Sequence, residues 1–334
     1  MTGIKRNDEM KIEKMGTDIP PVGLGCWAIG GEWTDMGAQA GWGDVDDAVS
    51  LRALQTGLDM GVRLIDTANI YGAGHSEELV GRALRGRREK ALVVTKFGIL
   101  CDEERKCTRG IVQSKEDIVK SCEDSLRRLQ TDHIDVFLFH CGDYEKEKAP
   151  MVLDTLEELV CAGKIRYYGW STSDPERAEI IAGGAHAAMM EFAENVMEDD
   201  PVMTAFCERH KLAGLCRSPL AMGILTGKYR AGMQMPENDL RGIHAAPWME
   251  YFIDGKPNQV FLDKLEAIRE ILTSGGRTLA QGCISWIWGR GEHMIPIPGF
   301  KSEKQVEENV SALDFGALSA EQMEEIDSIL KRTV

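Results

Sequence analysis

The chain is predicted to be an α/β protein built as a (β/α)8 barrel, with a short N-terminal hairpin and extra C-terminal helices. Two observations predict it: eight compact apolar runs alternate with longer amphipathic segments almost to the end, and no Ser/Gly/Pro-rich linker divides the 334 residues. By the ~150-residue prior this length suggests one large or two medium domains. A closed barrel of ~250 residues with insertions accommodates it as one domain over residues 1–334, whereas an open doubly wound sheet would need a break that the sequence lacks.

The candidate strands are Val22 to Leu24, Val62 to Ile65, Ala91 to Thr95, Ile134 to Phe139, Ile165 to Tyr168, Ala187 to Met190, Ala213 to Cys216 and His293 to Ile295. Each is a short apolar run suited to a strand covered on both faces. Between them, Leu51, Leu54 and Leu58 share a face of a helix entered at Asp46 or Asp47 and stopped by Gly61. Ser76 is expected to begin the next helix, and Ser114 to cap one whose inner face is Ile118, Val119, Cys122, Leu126 and Leu129. Ser302 with Gln305, and Ser319 with Gln322, have capping-box spacing. Arg230 to Pro257 is polar and expected to be a long insertion loop.

Composition narrows the function. Hydrophobic residues make up 43% and charged residues 28%, close to a globular average, which excludes wholesale disorder. A net charge of −15 argues against a nucleic-acid partner, which needs a basic face. The nine cysteines are scattered and odd in number, and the opening Met1 to Glu9 lacks the apolar core of a secretion signal, so reduced thiols and a cytoplasmic location are expected. No window approaches the ~18 apolar residues of a membrane span. Histidine and cysteine spacings, Cys101 and Cys107 included, match no zinc pattern, so no metal is expected.

Gly23-Leu-Gly25-Cys-Trp-Ala28 satisfies a loose dinucleotide-binding pattern, but its glycine-rich continuation through Gly43 cannot open the helix that the motif requires. A loop after the first strand is the better reading. Trp27 and Trp33 in it are candidate walls of a substrate site, with Trp170 a further possibility and Leu100 to Val112 a loop on one side of the mouth.

In a barrel of this kind, chemistry sits at the C-terminal strand ends. Those ends supply Asp66 with Tyr71 in the following loop, then Lys96, then His140, then Ser171. Each alone has an ordinary structural reading, as loop residue, solvated strand end or satisfied core histidine. Together they suggest proton donation by a phenol. A buried Lys96 requires a partner, for which Asp66 is placed, and its ammonium would stabilise the Tyr71 phenolate enough to make the phenol a usable acid. His140 would orient a carbonyl oxygen or relay the proton.

The order and separation of several motifs resemble the aldo-keto reductase superfamily over about residues 10 to 330. They are Gly57-x-Asp-x-Gly61-Val-Arg-Leu-Ile-Asp66-Thr-Ala-Asn-Ile-Tyr71-Gly, His75-Ser-Glu-Glu-Leu-Val-Gly-Arg-Ala-Leu84, Thr95-Lys96-Phe-Gly98 and Ser125-Leu-Arg-Arg-Leu129-x3-His-Ile-Asp135-Val-x3-His140. Gly41-Trp-Gly-Asp and Ile297-Pro-Gly299-Phe-Lys301 are similar to its bacterial, inositol- and sugar-associated branches.

The resemblance implies NADPH-dependent reduction of an aldehyde or ketone, or the reverse oxidation, with NADPH/NADP+ lying across the mouth. It implies Tyr71 as proton donor, Asp66 and Lys96 as its tuning pair, and His140 as the group that positions the substrate. Ser171 would meet the nicotinamide carboxamide, and Ser218, Pro219, Leu220, Gly223, Gly227 and Lys228 would line the pyrophosphate and ribose. Gly299, Lys301 and Ser302, ahead of a helix N-terminus, would take the 2′-phosphate, with Gln305, Glu308 and Asn309 on the adenine side.

Two cofactor positions depart from the family pattern: Thr172 replaces an Asn and Glu191 a Gln, while Glu194 stands in place of an aromatic residue. A carboxylate at 191 accepts but cannot donate, and is expected to favour the positively charged oxidised nicotinamide. The expected partner is a small-molecule carbonyl or alcohol; no membrane, nucleic-acid or oligomeric partner is read from the sequence. Two other functions share the fold, a cofactor-bearing regulatory protein with slow turnover and a sugar-phosphate isomerase or lyase. The first would show a damaged catalytic set, and the second leaves the Tyr-Lys-Asp group unexplained.

Overall fold

The computed structural model describes residues 9–332; the opening segment examined for a secretion signal lies almost wholly in residues 1–8, outside them. Eight parallel strands form one sheet: β1 (Gly23–Gly25), β2 (Leu64–Asp66), β3 (Leu92–Phe97), β4 (Ile134–Phe139), β5 (Ile165–Ser171), β6 (Ala187–Ala193), β7 (Ala213–Arg217) and β8 (Met294–Pro296). Each pairs with its neighbours in chain order. The seam is closed just beyond β8, where Gly25 bridges Gly299 and its N–H donates to the Pro298 carbonyl at 3.1 Å. Glycine is required there, because a Cβ on Gly25 would sit 2.4 Å from the Ile297 oxygen.

Strand alternation decides which side chains enter the barrel. Leu64, Leu92, Val94, Val136, Leu138, Met189, Leu215 and Ile295 form one buried interior cluster. Val93, Phe97, Phe137, Phe139, Tyr168, Trp170 and Phe192, one residue out of step, pack instead under the helices. Ile12 and Ile19, from a hairpin that pairs Met10–Ile12 with Thr17–Ile19, join the interior cluster beside Leu64, Leu92 and Ala213, the first residues of their strands. The hairpin therefore plugs the N-terminal end, and the opposite end is the mouth.

The helices are α1 (Asp47–Asp59), α2 (His75–Ala83), α3 (Lys115–Leu129), α4 (Ala149–Cys161), α5 (Pro175–Ala182), α6 (Pro201–His210), α7 (Gln259–Thr273), α8 (Leu279–Arg290), α9 (Glu303–Val310) and α10 (Ala320–Ile329). Asp46 caps α1 by accepting from the N–H groups of Ala48 and Val49. Ser114 with Asp117, and Ser319 with Gln322, form full capping boxes.

Two expected starts are corrected. Helix α2 begins at His75, and the Ser76 hydroxyl points inward, donating to the Cys26 carbonyl and contacting Thr67 Oγ1, both at 2.8 Å. At α9, Ser302 accepts from Gln305 N–H, but the Gln305 side chain accepts from Lys301 N–H rather than closing the box.

Leu100 to Val112, read as a loop, is largely a hairpin of Ile99–Asp102 with Cys107–Ile111, whose far strand pairs with Thr34. Its exposed polar residues carry no apolar alternation, so the pairing is set by neighbours rather than by its own pattern. The insertion at 230–257 is mostly irregular, with one small hairpin of Phe252–Ile253 and Lys256–Pro257, and is anchored by buried Leu240, Met249 and Tyr251.

Candidate active site

The same alternation that buries Leu64, Leu92 and Val94 inside the barrel aims Asp66 and Lys96 inward at the mouth. By the same parity, His140 continues Val136 and Leu138, Ser171 follows Gly169, Glu191 follows Met189, and Arg217 follows Leu215. Tyr71 arrives from the loop after β2. That loop is held by close backbone packing: a Cβ on Gly72, whose φ is +63°, would lie 1.9 Å from the Gly30 oxygen. From outside, Lys106 Nζ donates to the Gly72 carbonyl at 2.9 Å and Asn69 to that of Ile99 at 2.8 Å.

Lys96 is the hub. Its ammonium is fully buried and donates to Asp66 Oδ1 at 2.5 Å, the Thr67 carbonyl at 3.1 Å and the Tyr71 hydroxyl at 3.2 Å. Glu191 Oε2 lies 3.2 Å away, and Glu191 Oε1 accepts from Ser171 Oγ at 3.3 Å. Against burial, which opposes charge, Asp66, Glu191 and Tyr71 hold Lys96 charged and above its ordinary range. Burial, reinforced by Glu191 and only partly offset by Lys96, pushes Asp66 up to about 8.

The expected activation of Tyr71 is corrected in sign. Burial, with Asp66 and Glu191 adding to it, outweighs Lys96 and raises the phenol above its ordinary value. The cluster keeps the phenol protonated through neutral pH, so its proton is available but leaves only when a receiving oxygen develops charge.

The His140 ring stands edge-on to Tyr71, centroids 6.4 Å apart, with Nδ1 buried and unpartnered. Burial, then the Lys96 and Arg217 charges, push it down to about 3. It is therefore a neutral imidazole at the mouth.

Trp27 stacks on Tyr71 with centroids 5.7 Å apart and its indole N–H on the Ala40 carbonyl. Trp42 and Trp248, not singled out from the sequence, surround it with centroids 5.6 and 6.3 Å from its own. Trp33, expected on this wall, is 4% exposed and packs behind Tyr71 with Ala40, Ala68 and Ile70. Trp170 belongs to the outward parity of β5, so it is buried under the helices rather than lining the mouth.

The model of the aldo/keto reductase family matches residues 21–331. The chain belongs to this family. It is 31% identical to the aldo-keto reductase yakc [NADP(+)] of Schizosaccharomyces pombe over 90% of its length and 86% of the relative's. Among solved structures it is similar to the glycerol dehydrogenase AKR11B4 from Gluconobacter oxydans, with 32% identity, TM-score 0.81, and 98% and 96% of the two chains covered. An aldo-keto reductase from Klebsiella pneumoniae, in complex with NADPH, is 25% identical with TM-score 0.69 over 99% and 96%.

Most of the remaining sequence candidates of this aldo/keto reductase follow β7 and β8 in the chain. After β7, Ser218, Ala221, Met222 and Gly223 all have positive φ, at 54°, 45°, 53° and 90°. Two of their N–H groups are used within the turn, Ala221 donating to the Ser218 carbonyl at 2.9 Å and Gly223 to the Leu220 carbonyl at 2.8 Å. Pro219 and Leu220 are buried within it, and Gly227 (φ 74°) ends the turn.

Arg241, also missed from the sequence, pins this loop. It forms a two-pronged pair with Asp239 at 2.7 and 2.6 Å, donates to the Met222 carbonyl at 3.1 Å and covers the Trp42 ring. Its only signal was the Asp-x-Arg spacing.

Lys228 and Lys301 lie near this cation, and neither forms an ion pair among the described residues. Lys228 sits over the Tyr229 ring, and Lys301 donates only to the carbonyls of Trp42 and Asp44, at 2.9 Å each. Burial first, with Arg241 adding to it and Asp239 opposing, lowers both ammonium groups from their ordinary value, and Asp44 also opposes the shift at Lys301. Ser302 caps α9 beside them.

Asn309 donates to the Gly299 carbonyl at 3.4 Å, and Glu308 offers its carbonyl to Gln281 at 3.2 Å. Thr172 uses its hydroxyl to accept from Asp174 N–H at 3.1 Å. Among the described residues no group of three or more His, Cys, Asp or Glu side chains could hold a metal ion, and no helix is long and apolar enough to cross a membrane.

Proposed function

We propose that this chain catalyses NADPH-dependent reduction of an aldehyde or ketone to the alcohol, or the reverse oxidation, with Tyr71 as the proton donor. The observation that carries this reading is the buried Lys96 ammonium, which donates to both Tyr71 and Asp66. Tyr71 would protonate the carbonyl oxygen, Lys96 would take up the developing phenolate charge, and Asp66 would hold Lys96 in place. His140, neutral, would donate one hydrogen bond to the same oxygen. Trp27, with Trp42 and Trp248, would present the small carbonyl or alcohol against indole faces. The activity would belong to the barrel as one domain.

The residues present suit the cofactor. Lys228, exposed, and Lys301, half-buried, form no ion pair among the described residues and fit an anion beside the positive-φ loop at Ser218 to Gly223. Ser171, Thr172 and Glu191 would hold the nicotinamide end, and Ser218, Pro219, Leu220, Gly223, Gly227 and Lys228 the pyrophosphate and ribose. Gly299, Lys301, Ser302, Gln305, Glu308 and Asn309 would hold the 2′-phosphate and adenine. When bound, the reduced nicotinamide supplies the hydride.

The test is fluorescence titration with NADPH and NADH in parallel, repeated on Lys301→Ala. NADPH should bind more tightly, and the substitution should weaken NADPH by about tenfold, the cost of one lost charge-assisted contact, while leaving NADH within about twofold. Equal loss for both cofactors would remove the phosphate role of Lys301, and binding of neither to folded wild type would end the reductase reading.

A further inference from the structure

The mechanism above uses Asp66, Lys96 and Tyr71 and leaves one buried carboxylate of the same cluster without a chemical part. Glu191 is 1% exposed. One of its oxygens faces Lys96 at 3.2 Å and the other accepts from Ser171. Lys96 thus stands between two carboxyl groups from opposite sides of the barrel, Asp66 on β2 and Glu191 on β6, whose charges act on each other.

The groups that face this set are Cys26 after β1, Tyr71 after β2, His140 after β4 and Arg217 at the end of β7. The thiol and phenol are held protonated by burial, and His140 is neutral. Arg217 has an exposed side chain. With both carboxyls ionised, the buried set of Asp66, Lys96 and Glu191 would carry a net negative charge in a dry site. Like-charged carboxyls in one site relieve that cost by sharing a proton.

We propose that Asp66 and Glu191 share one proton across Lys96, and that this stored proton resupplies Tyr71 after it has protonated the substrate oxygen. The inference rests on the reductase reading. In the reduction, the carbonyl carbon gains a hydride, with its two electrons, from the reduced nicotinamide, and the oxygen gains the Tyr71 proton as the phenol O–H breaks. Lys96 donates a proton to the phenolate, and the carboxyl pair returns one to Lys96. The site ends with a neutral phenol, a charged ammonium and two carboxylates, one proton fewer than at the start. Those two carboxylates then face the oxidised cofactor, which carries one more positive charge than the reduced form. Glu191 is thereby a positioning residue for the proton, acting through Lys96.

The linkage has a readout that needs no turnover. Calorimetric titration at pH 7 in buffers of different ionisation enthalpy should show NADP+ releasing up to about one proton more than NADPH. Both cofactors carry the same 2′-phosphate, so its titration cancels in the difference. Between pH 6 and 8 the preference of wild type for NADP+ over NADPH should rise by up to about tenfold per pH unit. Glu191→Gln should abolish both the proton difference and this slope, and Glu191→Asp, which keeps the charge, should retain part of each.

Equal proton release for the two cofactors in wild type, or a difference that persists in Glu191→Gln, would overturn the inference while leaving the reductase reading intact. Failure of folded wild type to bind either cofactor would remove both. Should Glu191→Gln not fold, Glu191→Asp carries the comparison: a slope wholly unchanged in it by the shortened side chain would count against a shared proton that depends on contact with Lys96.

Discussion

Tyr71→Phe removes a single oxygen from the centre of the cluster and leaves most of its surroundings in place. Lys96 keeps Asp66 at 2.5 Å, the Thr67 carbonyl at 3.1 Å and Glu191 at 3.2 Å, so the buried ammonium is not orphaned. The Phe ring retains the stacking on Trp27. The stability cost is therefore one hydrogen bond, about 1 kcal/mol. The catalytic cost is larger, because nothing else in the cluster offers an acidic proton at that position. Loss of a positioned general acid lowers kcat by about 10² to 10⁴, which is roughly 3 to 5.5 kcal/mol of barrier. The assay is steady-state reduction of a carbonyl panel, beside fluorescence titration with NADPH. We expect turnover to fall by that factor while the NADPH Kd stays within about threefold. A loss of turnover below about tenfold would refute the assignment and leave His140 as the donor to test.

Two further outcomes follow from other buried charges. Glu77 is fully buried, accepts from Thr95 Oγ1 at 2.6 Å and pairs with Arg128 at 2.6 Å, so Glu77→Ala leaves a buried guanidinium with Ser125 and the exposed Glu103. Urea denaturation should show a loss of about 3–5 kcal/mol; less than about 1 kcal/mol would mean that Glu103 suffices. His140 is pushed down to about 3, so between that value and the ordinary 6.5 the unfolded chain binds a proton that the native site refuses. Stability should therefore fall as pH drops through this window. His140→Gln should flatten the slope by up to about 1.4 kcal/mol per pH unit, and an unchanged slope would mean the ring titrates freely in the native state.

The barrel and much of the site were legible in the sequence for one physical reason. Barrel strands are covered on both faces, so they appear as apolar runs, and a polar residue that closes such a run sits at the mouth. Asp66, Lys96 and His140 were found in this way, and the inward parity that Lys96 shares with Leu92 and Val94 gives the rule its geometry. What the sequence could not show lies across the barrel or outside its strands. Glu191 was read as a contact for the nicotinamide, but its 3.2 Å approach to Lys96 depends on β6 facing β3 through the interior. Trp42, Trp248 and Arg241 come from loops that no periodicity orders. Trp33 and Trp170 were misplaced because tryptophan in a run or loop does not reveal which face it takes. The sign at Tyr71 was misjudged because adjacency to a cation was weighed without the depth of burial or the second carboxylate.

The two halves of the mouth also differ in charge, and the difference bears on how a dinucleotide would lie. The protein carries −15 overall, so its long-range field would repel rather than gather a polyanion. Against that background, Lys228, Arg241 and Lys301 converge after β7 and before α9, countered by Asp239 and, at Lys301, by Asp44, beside a capped helix N-terminus. The opposite region, around Lys96, holds one ammonium between two carboxyls and excludes water from all three. An anionic end is stabilised in the first region and disfavoured in the second, whereas a ring that becomes positive on oxidation is stabilised in the second. Binding orientation and the fate of the shared proton therefore have one electrostatic origin. A charge reversal at Lys301 should weaken the cofactor in both redox states alike, while a change at Glu191 should affect the two unequally. It is this contrast, rather than either affinity alone, that distinguishes a mouth built for redox exchange from one that merely holds a phosphate.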